Sequence, residues 1–301
     1  MFIKSLIRKF KYKLKYKGTS ISRFANVSVL SIQSDGNTYI KESVTLVGQK
    51  VSFKGENHIL ERSVIDAKNI SFGLNTSLQI GSYLFGEVHL GNDVIIGPHF
   101  YASSYYHDFK TNPWVPIRVQ DLKNHQQNKV SSQAITIEDD SWIGMNCFVA
   151  PGITIAKGTV VGFGSMVNKQ FPPYSIIAGS PAKIIGTRLE YRPPDKISHL
   201  SILDYPYFYS GFSVQDDKIV TVDEKISIHL NYSAGTVLSL KFSVPSDASV
   251  KIGHLQFSIS ATQSALEIPM SEFAEIDLQR PLKIEIFDCN DKVGLLDAWI
   301  K

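Results

Sequence analysis

Along much of this chain every sixth residue is bulky and apolar. Reading at that interval gives Leu60, Asp66, Phe72, Leu78, Leu84, Leu90 and Ile96, then, after an interruption, Ile137, Ile143, Val149, Ile155, Val161 and Val167. Only Asp66 breaks the pattern. The following position is small at Gly73, Gly91, Gly97, Gly144, Ala150, Ala156 and Gly162. A period of six matches neither an amphipathic helix nor an alternating strand. It does match a coil that turns a corner after each hexad and sends one bulky side chain per short strand into a central shaft. Three hexads close a triangular turn, and stacked turns pair every strand with its neighbours at about 4.7 Å. The sequence therefore predicts an all-β chain built on a parallel β-helix, with glycine at corners where a Cβ would resist the backbone angles.

The interruption, residues 102–136, is an inserted loop of 35 residues with Pro113, Pro116 and the polar run K-N-H-Q-Q-N-K. Loops of that length in a compact domain are usually functional or disordered, and this one must leave the shaft at a corner. Before residue 60 the hexads decay, so residues 19–59 are expected to be irregular or opening rungs. Beyond Arg188 the period stops. Residues 189–204, with Y-R-P-P-D-K, have linker composition. Residues 205–301 alternate with period two in I-S-I-H-L-N-Y, V-L-S-L-K-F-S-V and L-K-I-E-I-F, which predicts an antiparallel β-sandwich-like domain. This domain has two readings: packing or oligomer contact, and a grip on polysaccharide through Tyr205, Tyr207, Phe208 and Tyr209.

Charge is concentrated at the start. Residues 1–18 hold seven of the 31 Lys and Arg and no acid, so the remaining 24 cations face 28 carboxylates and the body is not a basic-stripe nucleic-acid binder. Ile3, Leu6, Ile7, Phe10 and Leu14 share one helical face opposite Lys4, Arg8, Lys11 and Lys15. Two readings follow: a helix at an anionic lipid surface, and a helix docked on the protein's own body. Cys147 and Cys289 are too few for a disulfide framework and point to a reducing compartment. A cytoplasmic location follows, with peripheral contact at the inner membrane if residues 1–18 meet lipid.

The run from Ile137 to Arg188 is the most specific: I-E-D-D-S-W-I-G, then V-A-P-G-I-T-I-A-K-G-T-V-V-G-F-G-S-M-V, then F-P-P-Y-S-I-I-A-G-S-P-A-K. Residues 60–188 resemble the hexapeptide-repeat acyltransferases, and the tail is similar to the branch holding galactoside, xenobiotic and surface-polysaccharide O-acetyltransferases. The resemblance implies a left-handed β-helix, a homotrimer with sites between shafts, and acetyl-CoA as acyl donor. It implies an O-acetyltransferase acting on a sugar hydroxyl of a bacterial surface polysaccharide or its precursor. Two alternatives stay open: a small-molecule acceptor such as a nucleotide sugar or antibiotic, and a silent carbohydrate-binding scaffold.

Transfer to a hydroxyl needs a base for its proton and donors for the oxyanion on the thioester carbonyl. By the resemblance the base is His107, at the start of the excursion, with Asp108 or another carboxylate to orient it. His99 and His125 are competitors. Trp142 is implied at the wall of the site, and the Gly144 or Met145 amide at the oxyanion. Met145, Phe163, Asn168 and Lys169 are implied along the coenzyme A arm and Lys183 at its phosphates, although Phe163 and Asn168 depart from the small residue and Thr usual there. No G-x-S-x-G elbow or phosphate-binding P-loop is present, and the histidines lack the close pairing of the zinc enzymes on this fold, so no metal is expected.

Overall fold

The computed structural model describes residues 18–127, 131–232, 235–244, 247–260, 262–273, 277, 280–287 and 293–301. Residues 1–17, which hold the basic amphipathic segment, and Cys289 lie outside them. The chain divides into two compact units, Met1–Leu189 and Glu190–Lys301.

The first unit is a β-helix. Its first face stacks eight parallel strands: Thr19–Ile21, Thr38–Ile40, Asn57–Ile59, Ser77–Leu78, Ile95–Ile96, Trp142–Ile143, Val160–Val161 and Ser175–Ala178. Four long strands, Asn26–Ser34, Thr45–Phe53, Val64–Phe72 and Tyr83–Leu90, run across the second and third faces. Above them the two faces have separate strands, Tyr101–Ser103, Phe148–Val149 and Met166–Val167 on the second, and Ile135–Ile137 and Thr154–Ile155 on the third. Side chains one per face fill the shaft, among them Leu78, Leu84, Ile96, Ile137, Ile143, Val149 and Val167, each with no exposed surface. Burial of this contiguous aliphatic stack is what holds the turns together.

Rungs continue upstream to Thr19, where the hexad pattern had faded, and the pairing explains the fading. Thr38 pairs with Asn57, and Thr45 with Val64, a spacing of 19 residues, whereas Tyr83 pairs with Tyr101 and Trp142 with Val160 at 18. The register slips between Ala67 and Asn69, where the longer turn meets the shorter one. Counting by six across that slip lands on Leu60 and Asp66, but the shaft residues are Ile59 and Ile65, and Asp66 faces solvent.

The periodic glycines are also required for a different reason from the one expected. Gly73, Gly91, Gly97, Gly144 and Gly162 do not have left-handed angles. A Cβ on Gly73 would lie 2.3 Å from the Gly91 carbonyl carbon, and one on Gly97 2.8 Å from the Gly144 carbonyl carbon, so close approach between rungs excludes it. Left-handed angles fall at other corner positions, held by Asn75, Asp93, His99, Asp140 and Asn146, the residue types that tolerate them best.

Lys157 is fully buried at the corner between the third and first faces. Its backbone N–H donates to Glu138 Oε2 at 3.0 Å, and burial pushes its ammonium down to about 8 against the opposing pull of Asp139, Asp140, Glu138 and Asp93.

The second unit holds two four-stranded antiparallel sheets and a two-stranded one, around a core that includes Leu240, Val250, Ile284 and Ala298. Phe208 has no exposed surface and Tyr209 is 8% exposed. Phe208 belongs to that core and both rings are buried, which favours packing, one of the two readings of this run, over stacking on a glycan. No helix among the described residues is long and apolar enough to cross a membrane.

Candidate active site

The excursion leaves the shaft with little disturbance of the stack. Tyr101–Ser103 pairs with the first half of Tyr83–Leu90, and Ile135–Ile137 pairs with the second half of that same strand. The described residues 104–127 and 131–134 therefore belong to a single corner, between the second and third faces. This region is not a bare loop, because Ile117–Gln126 forms a helix, here α1. Pro116 precedes it, with a fixed φ suited to a helix entrance.

His107 sits at the exit of the excursion with its side chain 80% exposed, and its Nδ1 lies 2.6 Å from Asp121 Oδ2 on α1. Asp121 Oδ1 also accepts the Asp108 backbone N–H at 3.2 Å, which holds the carboxylate in place. A carboxylate on Nδ1 fixes the tautomer in which Nε2 carries the free lone pair. Asp108 is therefore not the orienting group. Its own carboxylate accepts N–H bonds from Thr111 (3.0 Å) and Lys110 (3.3 Å) and one from Asn124 Nδ2 (3.3 Å), and the Thr111 bonds chiefly hold it below the usual carboxylate range. Asp121 lies 14 residues beyond His107, and nothing in the sequence distance marks the pair; the signal that could have found it is the helix, which turns Asp121 back toward the exit.

The remaining candidates fall on two edges of the shaft. Asn168 and Lys169 follow Met166–Val167, and the register from Tyr101 through Phe148 to Met166 puts them on the His107 edge. Lys169 Nζ lies 5.3 Å from the Phe171 ring centroid. Trp142 is on the first face, 45% exposed, and meets the Phe163 ring edge-on at 6.1 Å. Gly144, Met145 and Phe163 form the corner between the first and second faces, with Phe163 67% exposed. Lys183 begins a strand that folds back antiparallel on the last first-face strand, opposite Ala178. One chain thus brings Trp142 and Phe163 together and His107 and Asp121 together, and sets these pairs on different edges.

Three details bear on the chemistry. Gly144 N–H donates to Val161 O at 2.8 Å, so it is not free for an oxyanion; the Met145 N–H has no partner among the described residues. His99 has φ 57° and packs against Gly81, where a Cβ would lie 2.6 Å from its Nδ1, which makes it a corner residue. His125 is exposed on the last turn of α1. No three His, Cys, Asp or Glu side chains converge on a metal-sized site among the described residues.

The outward side chains differ by face. Tyr83, Tyr101, Phe148 and Met166 share one outer column on the second face, with ring centroids 6.4 Å apart for Tyr83 and Tyr101 and 5.7 Å for Tyr101 and Phe148. Ile95, Trp142, Val160 and Ile176 share one on the first face. The third face presents Ser52, Ser71, His89, Thr136 and Thr154.

Residues 134–169 match the bacterial transferase hexapeptide (six repeats) family. The galactoside O-acetyltransferase of Escherichia coli is 29% identical over 150 residues, 48% of this chain and 68% of that one. An Escherichia coli protein with a provisional colanic acid biosynthesis acetyltransferase name, WcaF, is 31% identical over 111 residues, 37% of this chain and 53% of that one. The chain spans about two fifths to two thirds of the length of such curated relatives, 42% at the first match. Among solved structures, a single-residue mutant of the AntD N-acyltransferase of Bacillus cereus in complex with dTDP-4-amino-4,6-dideoxyglucose and coenzyme A is 21% identical with a TM-score of 0.38, covering 61% of this chain and 89% of that one. Residues 134–169, within the most regular rungs of the solenoid, therefore carry the hexapeptide repeat of the bacterial transferases.

Proposed function

We propose that the protein is an O-acetyltransferase that moves acetyl from acetyl-CoA to a sugar hydroxyl of a bacterial surface polysaccharide or its precursor. The observation that carries this reading is the His107–Asp121 pair, held by α1 on an excursion from the hexapeptide rungs. His107 Nε2 takes the hydroxyl proton as the sugar oxygen bonds to the thioester carbonyl carbon. The Met145 N–H donates to the oxygen that gains charge, and the resulting imidazolium returns its proton to the departing sulfur. No covalent enzyme intermediate is needed, and Cys147, buried in the shaft, is not placed to form one.

The two apolar outer columns support a trimer. A triangular shaft with two apolar faces and one polar face suits a closed ring in which the first face of one protomer packs on the second face of the next, a heterologous contact that closes at three. In that ring Trp142, on the first face of one protomer, lies opposite the second face of the next, which ends at the partner's His107 and the partner's Lys169, so donor and base meet between chains. Asn168, Lys169 and Lys183 are exposed and cationic or amide-bearing, and suit the arm and phosphates of coenzyme A.

The polysaccharide acceptor draws support from the WcaF name, and a small free galactoside from the galactoside O-acetyltransferase name. Residues 1–18 are proposed to hold the enzyme at the cytoplasmic face of the inner membrane; deleting them and finding unchanged membrane fractionation would remove that proposal.

The test is free-thiol release from acetyl-CoA with a panel of bacterial glycans and free galactosides, for wild type and His107→Ala. Acceptor-dependent release that falls about 100-fold or more in the variant is the expected result, the scale of a general base. Equal rates in the two proteins would remove His107 from the mechanism.

A further inference from the structure

Trp114 is 91% exposed, more than any other large apolar side chain of the described residues, yet its loop is firmly built. The sequence there is N-P-W-V-P, with Pro113 and Pro116 restricting the backbone on both sides. Asn112 Oδ1 accepts the Trp114 N–H at 3.3 Å, and Asn112 O accepts the Val115 N–H at 3.1 Å. Gln120, the one buried residue of α1, clamps the loop from inside: its Oε1 accepts the Asn112 N–H at 3.1 Å and its Nε2 donates to Val115 O at 2.8 Å. The next residue along α1 is Asp121, which holds His107. A single helix thus fixes the candidate base with one side chain and an open indole with its neighbour.

The same excursion also carries exposed cations. Lys110, Arg118 and Lys123 are exposed, whereas Asp108 and Asp121, the acids of this stretch, are bound to backbone N–H groups and to His107. An aromatic face held rigid in water suits the apolar face of a sugar ring, and a rigid indole loses little entropy on stacking. Exposed cations on the same excursion favour a carboxylated glycan over a neutral one.

We propose that Trp114, with Lys110, Arg118 and Lys123, is a subsite for an acidic glycan, stacking one sugar ring on the indole while the neighbouring carboxylates meet the cations. The proposal rests on the transferase reading for its role, since it makes the acceptor an extended, carboxylate-bearing polymer reaching past the residue that is acetylated.

Binding tests it without turnover. Full-length wild type, Trp114→Ala, Trp114→Phe and Lys110→Gln/Arg118→Gln/Lys123→Gln are titrated with polysialic acid, polygalacturonate and, as a neutral polymer, dextran, with calorimetry as the readout and light scattering on each protein. The expected result is binding of at least one acidic polymer, none of dextran, a loss of about tenfold in Trp114→Ala, a smaller loss in Trp114→Phe, and loss of the preference for acidic polymer in the triple variant. Equal binding by wild type and Trp114→Ala overturns the subsite. Binding of neither acidic polymer by wild type does so too, as does a fall in oligomer size in Trp114→Ala, which would make the indole a contact between protomers. Thiol release from acetyl-CoA, run in parallel, separates the two claims: bound polymer without turnover in any condition retires the transferase reading and leaves the subsite standing.

Discussion

Lys157 should make the solenoid more stable as the solution becomes alkaline, against the usual trend. In the unfolded chain its ammonium loses its proton near 10.5, and in the folded chain near 8. Below pH 8 both states hold the proton and nothing changes. Between pH 8 and 10.5 the unfolded state binds more protons than the folded one, so stability rises with pH. At about 1.4 kcal/mol per pH unit, the gain reaches roughly 3 kcal/mol by pH 10.5. With a urea dependence of roughly 2 kcal/mol per molar, the unfolding midpoint moves up by about 1.5 M. The assay is urea unfolding of the full chain in a Trp114→Phe, Trp299→Phe background, where Trp142 emission reports on the solenoid alone. Lys157→Met serves as the reference, because groups titrating elsewhere shift both proteins equally. The wild type should gain on the variant across this window. Parallel curves, or a wild type that loses ground, would show that Lys157 is not buried as a cation among Asp139, Asp140 and Glu138.

Asp121→Asn should lower acceptor-dependent thiol release about 10- to 100-fold with an unchanged fold by circular dichroism, while Asp108→Asn has a smaller effect; the reverse order would remove Asp121 as the positioning residue. Gly73→Ala sets a Cβ 2.3 Å from the Gly91 carbonyl carbon, so the solenoid transition should fall by about 2 kcal/mol or more in urea, and a neutral outcome would show that the rungs separate freely. Tyr101→Glu places a charge in the apolar outer column of the second face and should convert the proposed trimer to monomers by light scattering, with activity lost in step. Co-expressing His107→Ala with Trp142→Ala should restore part of the thiol release if the site spans two chains; no recovery in a confirmed mixed oligomer would place both residues in one chain's site.

The shaft was legible because its signal is repetition. Each hexad meets the same surroundings, so Ile137, Ile143, Val149, Ile155, Val161 and Val167 speak for one another. Upstream the same physics holds, but a turn of 19 residues moves Ile59 and Ile65 off the count, and an extra residue at a corner has no compositional mark. The glycines were found for an incomplete reason, since angles are a property of one residue and the approach of the next rung is not visible until the turns are stacked. His107 was reached by likeness to other chains. Asp121 was not reached, because α1 carries Ile117, Val119 and Leu122 outward and buries only Gln120, which erases the one-sided apolar pattern by which helices are recognised. The aromatic run at Tyr205–Tyr209 stayed open between packing and stacking for a related reason: composition says that rings are present, and only packing says that Phe208 and Tyr209 are buried.

The excursion has a kinetic consequence. Most turns of the shaft close a loop of 18 or 19 residues to add the next strand, but Ile95 pairs with Trp142, 47 residues on. Loop closure scales with the logarithm of length, so this step costs only roughly 0.9 kcal/mol more than an ordinary turn. Assembly of the stack can therefore spread from either end, pausing briefly where the arm is threaded out, and the arm can lengthen or change its sequence with almost no penalty to the growth of the shaft beneath it.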